Sequence, residues 1–219
     1  MLKARKFSRE TPEIRRETLV EATLRCLARE GQAGVSVRKI AAEAGVSIGL
    51  INHYFPGLDH LIAAAYEVTA TGIVTRLAQA ANDGQTPRQR IVTMIDALFT
   101  PANTTPELLG VWVAFWALIP HSPDMRKVQH ETNLHYRRTL EGVLADLADA
   151  EKRVFDVSRA ALGLSALMDG LWLEFCLNPD SFPLPDGAAL CRAWLEGVIG
   201  PAGDQAVSGL KVSATPLMQ

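Results

Sequence analysis

A chain of 219 residues, 48% apolar and 21% charged, has a globular composition that excludes a mainly disordered or collagen-like polymer. At this length folding can bury roughly 70% of the unfolded surface, so neither disulfides nor a structural metal is needed. The formal net charge of −2 hides an asymmetry: the first 60 residues hold 10 Lys/Arg against 7 Asp/Glu, and the remainder 12 against 17. A basic head on an acidic body points to a polyanion met by the head alone. Cys26, Cys176 and Cys191 form no CxxC motif and read as reduced thiols in a reducing, cytoplasmic compartment. The basic start lacks the apolar segment of a signal peptide. The strongly apolar run from Leu108 to Ile119 is too short to span a bilayer, so no membrane partner is expected.

No stretch keeps the period of two that a strand requires, and Leu, Ala and Arg recur at helical spacing. The expected fold class is all-α, with about nine helices. Thr11-Pro12 opens the first; Val20, Leu24 and Leu27 mark its apolar face and Gly31 ends it. Ser36 caps a second helix over 37–44, closed by Gly45, and Ser47 caps a third that runs to about Phe55. After the Pro56-Gly57 break, a fourth helix is expected over 58–82. Thr86-Pro87 introduces a fifth over 88–100, Pro106 a sixth over 107–119, and Ser122-Pro123 a seventh to about Ala150. The eighth, placed at 151–177, carries a seam of Val154, Val157, Ala161, Leu164, Met168, Leu171 and Phe175 in steps of three and four. A last helix over 185–199 precedes a loose tail from Pro201.

The stretch Val37 to Phe55, VRKIAAEAGVSIGLINHYF, has the form of a helix-turn-helix. Gly45 supplies a left-handed turn residue, Val46 plugs the space between two short helices, and Ile40, Ala41, Ala44, Leu50 and Ile51 face inward. About eight residues cannot hold a helix alone in water, so neighbours must support it. The other face presents Ile48, Gly49, Asn52, His53 and Tyr54. Small residues there allow close approach, Asn52 suits base edges, and His53 and Tyr54 suit phosphates. Ser47 begins that helix, and Arg38 and Lys39 sit where backbone phosphates would pass. Taken alone, the pattern also fits a helical corner in an ordinary α-domain.

Thr11 to Leu61 closely resembles the DNA-binding head of TetR-type transcriptional regulators, above all in IAAEAGVSIGLINHYFPGLDHLI. The resemblance covers about a quarter of the chain. It implies a homodimeric repressor, a pseudo-palindromic operator in double-stranded DNA, and a second domain that binds a small effector. The implied division is a head at 1–56, an effector-binding and dimerisation body at 57–200, and a tail at 201–219. His53 and Tyr54 match phosphate-contacting positions. Gly57-Leu58 departs from the Ser-Lys that many members carry before the fourth helix, so one phosphate-contacting lysine is missing.

In the body, Trp112, Phe115, Trp116 and Ile119 share a helix face, and the step of four between the two indoles stacks them along the axis. Such a stripe is ordinarily core. From Ala160 to Leu173 the only charged residue is Asp169. It shares a face with Ser165, Trp172 and Cys176. A carboxylate in such surroundings needs a cation or several donors. Asp169 either accepts from an indole N–H or a partner helix at a dimer contact, or it is the counter-charge of a cation pocket walled by tryptophans. VWVAFW and ALMDGLWL resemble the choline-responsive repressors of glycine-betaine synthesis within the same family, and that likeness implies choline as effector. The effector candidates are therefore Trp112, Phe115, Trp116, Asp169 and Trp172.

No GxSxG, P-loop, GxGxxG or HExxH motif occurs, and no nucleophile stands with a base. No cofactor, metal site or catalytic residue is expected, and His121, His130 and His135 read as surface histidines. Two alternatives stay open: a regulator of the same type answering to a different lipophilic compound, and an all-α carrier or enzyme whose head is only structural.

Overall fold

A computed structural model describes residues 11–200 of the chain; the basic start and the tail from Pro201 lie outside the described residues. Among the described residues there is no strand. Nine α-helices follow one another: α1 (Pro12–Gly34), α2 (Val37–Ala44), α3 (Ile48–Tyr54), α4 (Leu58–Asn82), α5 (Pro87–Leu98), α6 (Pro106–Leu118), α7 (Pro123–Glu151), α8 (Val157–Leu177) and α9 (Leu184–Ile199). A single 3-10 turn, Pro101–Asn103, sits in the loop expected between α5 and α6.

Helix starts are set by short polar side chains. Each takes up an amide N–H that the first turn leaves without an intrahelical partner. The hydroxyls of Ser36, Ser47, Thr86, Thr105 and Ser122 accept from the third helical residue of α2, α3, α5, α6 and α7 respectively. At α5, Gln89 bonds back to the Thr86 amide and completes a capping box. Gly45 closes α2 at φ +67°, in the left-handed region that the sharp turn into α3 requires.

Two boundaries differ from expectation. Gly31 breaks α1 at φ +65°, but helical structure resumes and runs to Gly34. The eighth helix starts at Val157 rather than at 151: Glu151 closes α7, Lys152 takes a left-handed conformation, and Asp156 caps α8 by accepting from the Arg159 amide. Val154 therefore lies in the connector, 73% exposed, and drops out of the apolar seam. The rest of that seam holds, with Ala161, Leu164 and Met168 fully buried.

The apolar side chains gather in two clusters. One joins α1, α2 and α3 to the first half of α4, to α6 and to Met125 of α7. The other joins the second half of α4 to α5, α7, α8 and α9. Trp112 packs against both. Arg88 at the start of α5 bonds Glu151 through Nε and Nη2 at 2.7 and 2.6 Å and also pairs with Glu196, tying α5, α7 and α9 at one end. By length and composition α4 and α8 could each cross a membrane. Here α4 is wrapped by α1, α5 and α7, whereas α8 packs mainly on α7 and α9, with lesser contact to α5 and α6. That leaves Leu162 of α8 and Leu190 of α9 48% and 51% exposed.

The turn chemistry gives a stability prediction. Gly45→Ala places a Cβ at a left-handed position and should cost about 1–2 kcal/mol. Gly57, extended at φ 173° with open space around it, should accept Ser and gain a few tenths from a new cap on α4. Urea denaturation midpoints of the two variants should therefore move in opposite directions.

Candidate functional site

Two regions of the molecule hold the expected site residues. The first is the outer surface of α2 and α3. Ile40 and Ala41 of α2 and Ile51 of α3 are buried, and Val46 packs between the helices, so their opposite faces point outward. Leu50 is only half-buried and does not join the core. Arg38, Ser47, Ile48, Gly49, Asn52 and His53 are exposed together, with Tyr54 half-buried beside the His53 ring at 5.1 Å. Arg38 makes no ion pair among the described residues. Lys39 is engaged instead: its ammonium pairs with Glu30 and donates to the Gly34 carbonyl at 2.8 Å. Glu43 accepts from Arg25 Nε at 2.7 Å and Arg29 Nη1 at 3.1 Å. These cationic partners hold the Glu30 and Glu43 carboxyls below the usual range. Part of the basic charge of the head is therefore spent on fixing α2 to α1. Arg16 of α1 stands 4.3 Å over the Phe55 ring and donates to the Tyr54 carbonyl at 2.9 Å, which pins the end of α3.

The second region is a partly open cavity of about 190 Å³ in the body, lined by residues of α4, α5, α6, α7, α8 and the 3-10 turn. From α6, Leu108, Trp112 and Trp116 line it at steps of four. The two indoles are not parallel-stacked; their centroids are 6.0 Å apart and the planes tilt by 31°. Trp172 of α8 meets Trp116 edge-on at 6.4 Å, and Tyr66 of α4 meets Trp112 edge-on at 5.6 Å. Phe115 differs from expectation. It is fully buried on the other side of α6, against Tyr66 and Trp112, and does not line the cavity.

Asp169 lines the cavity and, among the described residues, is the only charged one that does so. It makes no hydrogen bond or ion pair among the described residues. The indole N–H that could have served it is committed elsewhere: Trp172 Nε1 donates to the Asn103 carbonyl at 2.6 Å. Asp169 is an exposed residue at the cavity wall, although neighbouring protein crowds its carboxyl. Burial pushes its pKa from 3.8 up to about 6. Tyr66 and Tyr136, which line the same space, are both shifted upward by burial first and by the Asp169 charge as a smaller cause.

Several lining residues were not legible in the sequence. Tyr66 and Tyr136 complete the aromatic wall, and Gln129, Thr132 and Asn133 of α7 with Asn103 supply neutral polar groups. On α7 the steps 129, 132, 133 and 136 mark one helical face, but nothing in that spacing separates a cavity wall from a solvated surface. The chemistry of this lining suits a cation: aromatic rings with negative faces, neutral donors and acceptors, and a carboxylate with no partner among the described residues.

Known protein families match both parts of the chain. Residues 19–65 match the family model of bacterial regulatory proteins of the tetR family, and residues 87–200 match that of the BetI-type transcriptional repressor C-terminal domain. The transcriptional regulator BetI 2 of Chromohalobacter salexigens is 33% identical over 195 residues, covering 85% of this chain and 89% of its own. BetI of Paraburkholderia xenovorans is 34% identical over 175 residues, 78% and 86% of the two chains. Among solved structures, a transcriptional regulator from Pseudomonas aeruginosa PAO1 superposes with a TM-score of 0.80 at 43% identity, covering 88% of this chain and 93% of its own. A regulator from Saccharomonospora viridis in complex with choline shares the fold at a TM-score of 0.71 and 21% identity, over 84% and 96% of the chains. The chain is therefore a DNA-binding transcriptional regulator, not an enzyme, and belongs to the TetR family with a C-terminal domain of the BetI type.

Proposed function

We propose that the chain is a cytoplasmic, homodimeric repressor whose effector is choline, and that it controls genes converting choline to glycine betaine. The head, residues 1–56, contacts the operator, and the body, 57–200, holds the effector and the dimer contact. The observation that carries the effector reading is Asp169: an unpartnered carboxylate facing a cavity walled by Trp112, Trp116, Trp172, Tyr66 and Tyr136. A quaternary ammonium cannot donate a hydrogen bond and is recognised by aromatic faces and opposite charge, at roughly 0.5–2 kcal/mol per ring. The relatives named BetI and the choline complex of a structural neighbour support the same ligand.

Choline titrated into the full chain, followed by tryptophan fluorescence and calorimetry, should bind saturably. Trp116→Ala and Asp169→Asn should each weaken binding at least tenfold, and silence at millimolar choline would refute the effector reading. Binding should also fall by roughly tenfold per pH unit below about pH 6, as Asp169 takes up a proton, and Asp169→Asn should remove that dependence. The stability effect has the opposite sign. Asp169 holds its proton more tightly folded than unfolded, so this group makes the ligand-free chain more stable as pH falls from about 6 to 4.

For the head, Arg38 and Asn52 are free to reach DNA, and Tyr54 stands at the edge of the same surface. Arg38→Ala should lower operator affinity and reduce the slope of log K against log salt by about 1. Tyr54→Ala should weaken binding to all DNA, and neither change should alter choline binding. A Tyr54→Ala protein with normal operator affinity would overturn the placement of the DNA surface.

Two such heads must lie about 34 Å apart to enter successive major grooves, which requires a two-fold dimer. The exposed apolar face of α8 and α9, with Leu162, Leu190 and Val198, suits a four-helix contact across that axis. Sedimentation should show a dimer at micromolar concentration. Leu162→Glu with Leu190→Glu should give a monomer that still binds choline and no longer binds its operator.

A further inference from the structure

Helices α7 and α8 run antiparallel, and two contacts set their register. The Ser158 hydroxyl donates to Glu141 at 2.8 Å, and the Tyr136 hydroxyl donates to Met168 Sδ at 3.8 Å. Residue numbers fall along α7 as they rise along α8. The next turn of α7 therefore brings Asn133 level with Asp169, and one turn further Gln129 stands level with Trp172. Both amides line the cavity from one face of α7. Other neutral polar side chains there are committed: Asn103 Nδ2 donates to the Ala97 carbonyl at 2.8 Å, and the Thr132 hydroxyl to the Val128 carbonyl at 2.9 Å. Gln129 and Asn133 make no hydrogen bond among the described residues. A side-chain amide both donates and accepts, and so does a hydroxyl. Two amides can satisfy one hydroxyl, the first accepting from its O–H and the second donating to its oxygen. An ether or an aldehyde can only accept. A carboxylate also brings a second negative charge beside Asp169, and among the described residues no Lys, Arg or His lines the cavity to offset it.

We propose that Gln129 and Asn133 recognise the hydroxyl of the effector, so that the cavity answers to a quaternary ammonium alcohol and rejects the same cation with its hydroxyl removed, capped or oxidised. The inference rests on the cation reading of the cavity and adds the side chains that set its specificity. Aromatic faces and the Asp169 carboxylate respond to charge, and they hold any small trimethylammonium ion alike. Choline joins its ammonium and hydroxyl through two carbons only, so an ammonium at Asp169 places the hydroxyl within a turn of the same level on α7. The free polar side chains at that level are the two amides. Asn133 is exposed and Gln129 half-buried, so water replaces part of a lost contact. The discrimination expected is therefore about tenfold, not the far larger factor of a sealed polar site. A regulator of choline oxidation built this way senses the alcohol that the reaction consumes and not the acid that it makes.

The test titrates four compounds into the full chain by calorimetry: choline, its methyl ether, glycine betaine, and n-propyltrimethylammonium, in which a methyl group replaces the hydroxyl. Choline should bind about tenfold more tightly than the ether or the n-propyl cation, with glycine betaine weakest. Gln129→Met and Asn133→Leu keep the size of each side chain and remove its amide. Each should lower choline affinity by about three- to tenfold and leave n-propyltrimethylammonium unchanged or tighter. Variants that weaken both cations alike would give the amides a merely structural role and overturn the inference. Equal affinity of the wild-type chain for choline and the n-propyl cation also overturns it, while leaving the cation reading standing. Glycine betaine binding as tightly as choline overturns the rejection of the oxidised form. Should a variant fail to fold, the wild-type ratios decide alone. If none of the four binds, the cation reading itself fails, and this inference with it.

Discussion

The packing of Trp112 against Tyr66 and Phe115 is the contact on which the two halves of the molecule depend. Phe115 is fully buried in the cluster that supports the helix-turn-helix, and it meets Tyr66 edge-on at 5.2 Å. Trp112 meets both rings and presents its remaining surface to the cavity. One aromatic group thus closes the core of the head and forms the wall of the body. The edge-on geometry sets the positive edge of one ring against the negative face of another, and each such pair contributes about 0.5–1.5 kcal/mol beyond burial. A site placed elsewhere in the body would lack this direct contact with the head.

Asp169 is set apart by what is withheld from it. A buried carboxylate ordinarily recruits an arginine or several amide donors. Here the nearby donor is diverted: the Trp172 indole bonds to a backbone carbonyl of the 3-10 turn, which orients the ring and leaves the acid unserved. The raised pKa records the resulting desolvation. Leaving a charge unsatisfied lowers stability, which is the cost expected of a carboxylate kept for a ligand on the reading proposed above.

The helices were legible because their punctuation is local. Ser36, Ser47 and Ser122 cap the helices that follow them, and Gly45 turns where a left-handed residue was required. Asp169 was legible too, as a lone charge in an apolar run. Three features were not. Phe115 shares its sequence surroundings with Trp112 and Trp116, yet the turn of about 100° that separates it from Trp116 puts it behind α6 rather than in the cavity, and hydrophobicity does not distinguish them. Tyr66 and Tyr136 meet Asp169 only through the packing of α4 and α7 on α8, contacts between residues far apart in the chain. The eighth helix was drawn too long because Val154 continues the three-four spacing, whereas Asp156 offers a cap that ends the pattern there.

On the proposed reading, a ligand can change operator affinity only by binding two arrangements of the dimer unequally, and the coupling runs both ways by the same factor, typically 1–3 kcal/mol. The element able to carry that difference is α4. Its first half, with Leu61 and Ile62, belongs to the head cluster, and its second half, with Leu77, belongs to the body cluster. Its start has no side-chain cap at Gly57, so packing rather than a directional bond sets its entry angle. The end of α3, by contrast, is fixed to α1 by Arg16. A shift of α4 relative to α1 must therefore be taken up at the 55–58 joint, next to Tyr54 and His53.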